Sequence, residues 1–323
     1  MRMSAEILVN AARIRPATAV STVTIAILVG FVSPSVRAQG NDPDLVWVVK
    51  SNRGSIAVID PATDSIVDLI RTRVGDTGDD IAIGDDAVWF SYLSSRVHRI
   101  DPLTREVVAM VETGTYNGGT AVGSGSVWVG NGDDSQVTRI APGTNRVTGT
   151  VDTEYMVYDV AMTDNSVWAA TTEGLLQRFA PNASSVADII DTDGEPNALA
   201  ADGGTLWASD LIFGRVLRVG PGGVEPIDVS VTSMEGPGLA VGFGSVWVGT
   251  GDNNTVIRID AVSKQILATI ELGGWVEDVA TGAGSVWVAL PEEDRVVRID
   301  PETNQVTTHI RVTGFPNAIA VGN

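Results

Sequence analysis

Aromatic and acidic residues occur together in a limited set of segments of this chain and could form a binding surface. The aromatic residues lie between segments that alternate like β-strands: Tyr92, Tyr116, Tyr155, Tyr158, Phe213, Trp275 and Phe315. Glu277 and Asp278 lie two and three residues after Trp275. Aromatic faces attract cations and are frequent at binding surfaces, and carboxylates add negative charge. These nine residues are therefore predicted to bind a cationic small ligand, a glycan or a partner protein.

Two oxygen-rich segments are weaker candidates for a calcium or magnesium site. They contain Asp133 and Asp134 in one case and Asp252 in the other. Calcium prefers oxygen ligands, but neither segment has the spacing of an ordered calcium loop with a distal Glu. An Asx-type turn in solvent is the simpler interpretation, and no cofactor is otherwise predicted.

Histidine and cysteine usage limits the available chemistry. The chain has no cysteine, so a thiol nucleophile and a disulfide framework are excluded. Its two histidines, His98 and His309, fall on predicted outer strands, where they could not act as a general base in a central site. Paired carboxylates remain as candidate catalytic groups, for example Glu277 with Asp278 or Asp159.

Seven tryptophans recur at a nearly constant interval and indicate the elements that would hold these residues. Their spacings are 42, 39, 40, 39, 40 and 40 residues, counted along this series: Trp47, Trp89, Trp128, Trp168, Trp207, Trp247 and Trp287. Each unit contains four short strand-like segments separated by Gly-rich or Asp-Pro turns. A period of about 40 residues with four strands per unit is typical of a β-propeller. The sequence therefore predicts an all-β, seven-bladed propeller of antiparallel blades.

The two ends of the repeat region predict how the ring closes. The repeats begin at a Trp-bearing second strand, Val46-Trp47-Val48, and finish on an inner strand, 317–321. The C-terminal strand is therefore expected to complete the N-terminal blade. In such a ring the aromatic and acidic segments would lie on one face, formed by the loops that lead into the inner strands and that join second to third strands. The alternative is that these loops are acidic because turns favour Asp, and that the aromatics only cap the blades.

A second periodicity places one arginine on the third strand of most units, about 40 residues apart. The series is Arg99, Arg139, Arg178, Arg218, Arg258 and Arg298. The third strand lies far from the channel, so a basic ring around a ligand is not expected. Structural pairing with acids of neighbouring strands or blades is the favoured interpretation.

The N-terminal segment resembles an export signal. Arg2, Arg13 and Arg15 precede an uncharged apolar stretch, and Val36-Arg37-Ala38 has the form of a cleavage site. Residues 1–38 are therefore predicted to be a signal peptide and 39–323 the propeller, in a secreted or periplasmic protein. An uncleaved membrane anchor is the alternative. Without residues 1–38 the chain has 17 basic and 39 acidic residues, a net charge of −22 that disfavours nucleic acid and anionic lipid.

The repeat phrase resembles a known family. Asp300-Pro301-Glu302-Thr303, followed by Gly314-Phe315-Pro316-Asn317-Ala318-Ile319-Ala320, is similar to the phrase of bacterial YVTN-type seven-bladed propellers, which are usually exported. The Gly-Ser-Val-Trp-Val variant also resembles the streptogramin (virginiamycin B) lyases, which are magnesium-dependent. In those enzymes histidines and a glutamate around the channel are implicated in elimination. Glu195, Glu235 or Glu277 could stand for that glutamate, whereas no histidine falls at a channel position.

Two functions follow from these observations. The favoured prediction is an exported binding or interaction module that uses the aromatic and acidic loops. The alternative is a metal-dependent lyase or hydrolase with a carboxylate-based site in the central channel.

Overall fold

The computed structural model describes residues 44–51, 54–72, 78–84, 86–115, 117–210, 212–229, 231, 238–251 and 253–322. The predicted signal peptide falls outside the described residues, as do Tyr116 and Asp252. Within these ranges no helix has the length and apolar character needed to cross a bilayer.

The described strands form seven antiparallel sheets of four strands each, which confirms the predicted propeller. Blade 1 contains β1 (Leu45–Lys50), β2 (Ser55–Asp60) and β3 (Ser65–Arg71). Blade 2 contains β4 (Gly78–Gly84), β5 (Ala87–Tyr92), β6 (Arg96–Asp101) and β7 (Glu106–Glu112). Blade 3 contains β8 (Asn117–Gly123), β9 (Ser126–Asn131), β10 (Gln136–Ala141) and β11 (Arg146–Asp152). Blade 4 contains β12 (Val157–Thr163), β13 (Ser166–Thr171), β14 (Leu175–Phe179) and β15 (Asp188–Asp191).

The remaining blades follow the same order from the inner to the outer strand. Blade 5 contains β16 (Pro196–Asp202), β17 (Thr205–Asp210), β18 (Arg215–Gly220) and β19 (Gly223–Asp228). Blade 6 contains β20 (Leu239–Gly242), β21 (Ser245–Gly249), β22 (Thr255–Asp260) and β23 (Ile266–Glu271). Blade 7 contains β24 (Asp278–Gly282), β25 (Ser285–Leu290), β26 (Arg295–Asp300) and β27 (Gln305–Arg311).

The C-terminal strand closes the ring as predicted. β28 (Pro316–Gly322) pairs antiparallel with β1 and becomes the inner strand of blade 1, with Trp47 opposite Ala320. Trp47 Nε1 also donates to Gly322 O at 3.1 Å. Closure pairs strands from both ends of the repeat region and so removes an exposed inner edge.

Each periodic tryptophan fills the space between its own blade and the next. Trp47 packs against Ile81, Val88 and Phe90 of blade 2. Trp287 packs against Val46 and Val48 of blade 1, which continues the pattern across the ring closure. Flat aromatic rings bury a large apolar area, so these contacts are the main source of interblade stability. The seven tryptophans are core residues.

Because successive strands are antiparallel, the chain alternates between the two ends of the propeller. We call the end with the loops into the inner strands, and from second to third strands, the loop face. The opposite end carries the first-to-second hairpins and the third-to-fourth turns, and we call it the turn face. Among the described residues, those predicted to bind a ligand belong to segments of the loop face, apart from Tyr92, whose strand is discussed below.

Candidate functional site on the loop face

Two carboxylates at the mouth of the channel are each held by an aromatic donor. Trp275 Nε1 donates to Glu277 Oε2 at 2.8 Å, just before the inner strand of blade 7. Tyr158 Oη donates to Glu195 Oε1 at 2.7 Å, which joins blade 4 to the loop leading into blade 5. All four side chains are half-buried. Glu195 leads into blade 5 and Glu277 into blade 7, so the two carboxylates lie two blades apart around the mouth.

Three aspartates, Asp80, Asp159 and Asp278, line the channel at the start of inner strands β4, β12 and β24. We call them the three-aspartate ring. Each accepts the backbone N–H of the next blade's inner strand through Oδ2: from Thr120 at 2.5 Å, from Leu199 at 2.7 Å and from Ile319 at 2.7 Å. The carboxylates therefore connect blades 2 to 3, 4 to 5 and 7 to 1.

Small residues make room for this arrangement. The blades without an inner-strand aspartate have Gly119, Ala198, Gly238 or Ala318 at the matching position. A Cβ on Gly119 would overlap Asp159 Oδ1, and one on Gly238 would overlap the backbone of Asp278. The sequence thus alternates a carboxylate with a small residue around most of the ring.

The environment of the three-aspartate ring favours protonated carboxyl groups. The side chains are half-buried, and the surrounding inner strands replace most of their hydration. This desolvation, together with the charges of Asp80 and Glu277, raises the pKa of Asp278 to about 8, against the backbone bonds from Ile319 and Val279 that lower it. Burial also raises the pKa of Asp80 and, together with the charge of Asp80, that of Asp159. Desolvation raises the pKa of Glu277, against the bond from Trp275.

Three other predicted residues lie on the surface of the loop face. Phe213 is 53% exposed at the tip of the loop between β17 and β18, with its ring 4.7 Å from the guanidinium of Arg215. Arg215 Nε donates to the buried Asp210 at 2.6 Å, which fixes this loop. Tyr155 and Phe315 are also exposed, each on a separate loop. These rings present apolar surface around the mouth without contacting one another in the described structure.

Tyr92 differs from the expectation that it belongs to the loop face. It is the last residue of β5, and its ring is fully buried against Phe90, with a centroid distance of 4.4 Å. Its hydroxyl lies 3.1 Å from His98 Nδ1. The strand extends further than the sequence suggested, and its side-chain alternation directs Tyr92 into the blade.

The weak metal candidates are not brought together with other ligands. Asp133 is exposed, and Asp134 Oδ2 accepts the N–H of Thr115 at 2.6 Å, a contact between two separate loops and not an Asx-type turn. Asp252 lies outside the described residues. In the part of the chain that the structure describes, no group of three or more His, Cys, Asp or Glu residues could hold a metal ion.

Asp80 belongs to the site although the sequence analysis did not name it, and Asp159 and Glu195 were considered there only as possible catalytic carboxylates. A usable signal exists in the inner strands: Asp80-Ile81-Ala82, Asp159-Val160-Ala161 and Asp278-Val279-Ala280 share one register. Abundant acids elsewhere conceal this register, because Asp and Glu are frequent in all the loops.

Comparisons with known proteins support the fold. The sequence matches no family model and no curated protein. The structure is similar to apo AztD from Citrobacter koseri, with a TM-score of 0.66, 13% identity, and coverage of 87% of this chain and 98% of that chain. A functionally unknown protein from Desulfotomaculum acetoxidans DSM 771 gives a TM-score of 0.70 at 15% identity, covering 86% of this chain and 99% of that one. Hydrazine synthase from Kuenenia stuttgartiensis gives 0.62 at 13% identity, covering 87% and 99%. At such identities the similarity extends to the propeller fold alone.

Proposed function

We propose that this protein is an exported binding module whose loop face binds a cationic ligand at the mouth of the central channel. The observation that supports this proposal is the pair of aromatic–carboxylate contacts at the mouth, Trp275 with Glu277 and Tyr158 with Glu195. An aromatic ring beside a carboxylate suits a cation that has an apolar surface, such as a substituted ammonium or a basic side chain.

Charge and burial support a cation over other ligands. No ion pair connects Glu195, Glu277 or the three-aspartate ring to a Lys or Arg in the described residues. A bound cation would stabilise the ionised forms of carboxylates that are otherwise poorly solvated. The net charge of the whole chain, −19, adds a long-range attraction for cations. The resemblance to exported YVTN-type propellers, and the signal-like residues 1–38, support an extracytoplasmic location.

Calorimetric titration tests this proposal with three probes: tetramethylammonium, spermidine and a trilysine peptide. We expect saturable binding of at least one probe and a loss of about tenfold in affinity for Trp275→Ala, because a desolvated cation–π contact contributes about 1–2 kcal/mol. Glu277→Gln should weaken binding further. Glu302→Gln is the matched control, since Glu302 is an exposed acid in a turn of the turn face. Failure of all three probes to bind, or binding that neither substitution changes, would refute the proposal.

The raised pKa of Asp278 favours a second candidate, carboxylate-based catalysis in the channel. A carboxyl group with a pKa of about 8 is largely protonated at neutral pH and could donate a proton, while Glu277 beside it could accept one. Turnover of a cyclic depsipeptide that is abolished by Asp278→Asn, with the fold retained, would support this function. Absence of turnover both with and without magnesium would rule out this second function and leave cation binding as the function of the loop face.

A further inference from the structure

The periodic arginines connect neighbouring blades on the turn face. Each lies over the tryptophan of its own blade, with distances from guanidinium carbon to ring centroid between 4.8 and 5.9 Å. Four of them donate Nη1 to a proline carbonyl in the next blade's turn. These pairs are Arg99 to Pro142 at 2.9 Å, Arg139 to Pro181 at 2.8 Å, Arg258 to Pro301 at 2.5 Å and Arg298 to Pro61 at 2.8 Å. The expected pairing with acids is therefore only part of their role.

Within the described ranges, Arg178, like Arg218, donates to an acid of its own blade and not to the next blade's turn. Its Nε and Nη2 donate to Asp188 of its own blade. Across the described residues, Nη1 of Arg178 meets no acceptor. The turn that would supply one is shortened, because only Pro221 and Gly222 separate β18 from β19, whereas four residues form the same turn in blades 1, 2, 3 and 7.

An open cleft of about 520 Å³ lies between blades 4 and 5, beside the shortened turn. Trp168, Arg178 and Ile189 line it from blade 4, and Val219 and Pro221 line it from blade 5. Trp168 is 6% exposed, while the other six periodic tryptophans are at most 1% exposed. The Arg178 side chain is 44% exposed, compared with 24% for Arg298, whose turn is in place.

We propose that the cleft between blades 4 and 5 binds a proline-containing turn of a partner protein, with Arg178 Nη1 donating to the proline carbonyl. The same Arg–Trp pair receives such a turn from within the chain at four other blade interfaces. Between blades 4 and 5 the Arg178 and Trp168 side chains are present, but the shortened turn of blade 5 supplies no carbonyl to Arg178.

The charges at the cleft restrict the partner further. Asp188 already balances the charge of Arg178, so a neutral carbonyl suits the remaining donor better than an anion does. The net charge of −19 repels acidic segments and attracts basic ones. A turn with a proline and a flanking basic residue is therefore the expected occupant. This site lies on the face opposite the proposed cation site and does not depend on it.

The chain's own blade 3 turn supplies a suitable probe. A capped peptide with the sequence of residues 140–146, Ile-Ala-Pro-Gly-Thr-Asn-Arg, carries one positive charge and contains the acceptors that Arg99 uses. We expect weak, saturable binding to the full protein by titration, followed through the indole N–H signals in NMR spectra. Arg178→Gln should weaken binding about tenfold, because hydrogen bonds to charged groups are among the stronger ones. A scrambled peptide should not bind.

Two further variants make the result specific to the cleft. Replacing Pro221-Gly222 with the four residues Pro-Gly-Thr-Asn should fill the cleft from within and abolish peptide binding while Arg178 remains. Arg218→Gln is the matched control and should leave binding unchanged, because Arg218 Nη1 already contacts Glu225 at 3.4 Å. Circular dichroism and thermal unfolding verify that each variant folds.

Three results would overturn the proposal. They are the absence of peptide binding at millimolar concentration, binding that is equal in Arg178→Gln, and binding that persists after the turn is lengthened. The unmodified protein could also self-associate, with the association lost in Arg178→Gln. That result would show that the cleft binds a second copy of this chain and would overturn the proposal of a different partner protein.

Discussion

Asp278 Oδ2 accepts the backbone N–H of Ile319 at 2.7 Å, across the interface at which the last blade meets the first. The same carboxyl group accepts the N–H of Val279 through Oδ1, also at 2.7 Å. One titratable side chain thus contributes to ring closure from a position inside the channel, where ionisation is unfavourable.

Stability should decrease as pH rises from about 5 to 8. The pKa of Asp278 is about 8 in the folded protein and near 3.8 when unfolded. In this window the folded state binds more protons than the unfolded state, so the free energy of unfolding falls with rising pH, by at most about 1.4 kcal/mol per unit for one group. Urea unfolding at several pH values measures this slope, and Asp278→Asn should reduce it.

The acids whose pKa is lowered affect the free energy of unfolding only at lower pH, so they do not change its slope between pH 5 and 8. Backbone hydrogen bonds lower the pKa of Asp260, Asp294 and Asp300. Their contribution is present above the unfolded pKa and is lost only as pH falls below it. A stability that is constant or rises between pH 5 and 8 would contradict a raised pKa in the three-aspartate ring.

Cation binding on the loop face should strengthen as pH rises toward 8. Protonated Asp278 must lose its proton to interact fully with a cation, so binding and proton release are coupled, and the raised pKa of Glu277 acts in the same direction. Titration of the best-binding cation in two buffers with different ionisation heats would detect this release. Proton uptake, or affinity independent of pH between 6 and 8, would count against a role for these carboxyl groups.

Gly119→Ala should destabilise the protein by about 1–3 kcal/mol, since the new methyl group would overlap Asp159 Oδ1. Replacing Asp159 with Ala in the same chain should recover part of the loss, which a double-mutant cycle from denaturant unfolding would quantify. Gly143→Ala is the control, because nothing lies within 4 Å of the position its Cβ would take. Equal effects of the two single substitutions would argue against the close contact.

Tyr92→Phe should destabilise the fold by about 1–2 kcal/mol without affecting ligand binding. The change removes a buried hydroxyl that lies 3.1 Å from His98 Nδ1 and leaves that nitrogen without this partner. Thermal unfolding measures the first effect, and cation titration measures the second. Loss of cation binding at unchanged stability would instead indicate that Tyr92 contributes to the ligand-binding surface.

Arg298→Ala should destabilise the protein more than Arg178→Ala. Arg298 donates to Pro61 O and Asp64 Oδ1 of blade 1, both at 2.8 Å, whereas the ion pair of Arg178 is exposed and lies within its own blade. We expect a loss of about 1–3 kcal/mol for Arg298 and below about 1 kcal/mol for Arg178. Similar losses on urea unfolding would mean that the interblade bond contributes little.

The sequence determines the blade count and ring closure well, because every blade interface needs a large apolar side chain at the same register. Trp47 and Trp287 therefore occur in phase even though the ring closes between them. Local exceptions are harder to predict. The short turn at Pro221 is visible in the sequence, but its effect on Arg178 depends on a contact with the neighbouring blade.

The candidate site was only partly predictable. Trp275 and Glu277 are two residues apart in sequence, so their proximity on one loop could be expected. Tyr158 and Glu195 are 37 residues apart, and they meet because one blade's inner strand lies beside the entrance to the next. The three-aspartate ring depends likewise on which inner-strand positions face the channel, which composition does not reveal.

Pairing of β28 with β1 also has a consequence for the order of folding. Strands β1, β2 and β3 are synthesised first, yet their sheet lacks its inner strand until residues 316–322 have left the ribosome. Trp47 Nε1 has no access to Gly322 O before then. Contacts of such large sequence separation form slowly, and an unpaired β1 edge is prone to non-native pairing in the meantime. We therefore expect the final step of folding to be the docking of β28, and truncation before residue 316 to leave a chain that aggregates.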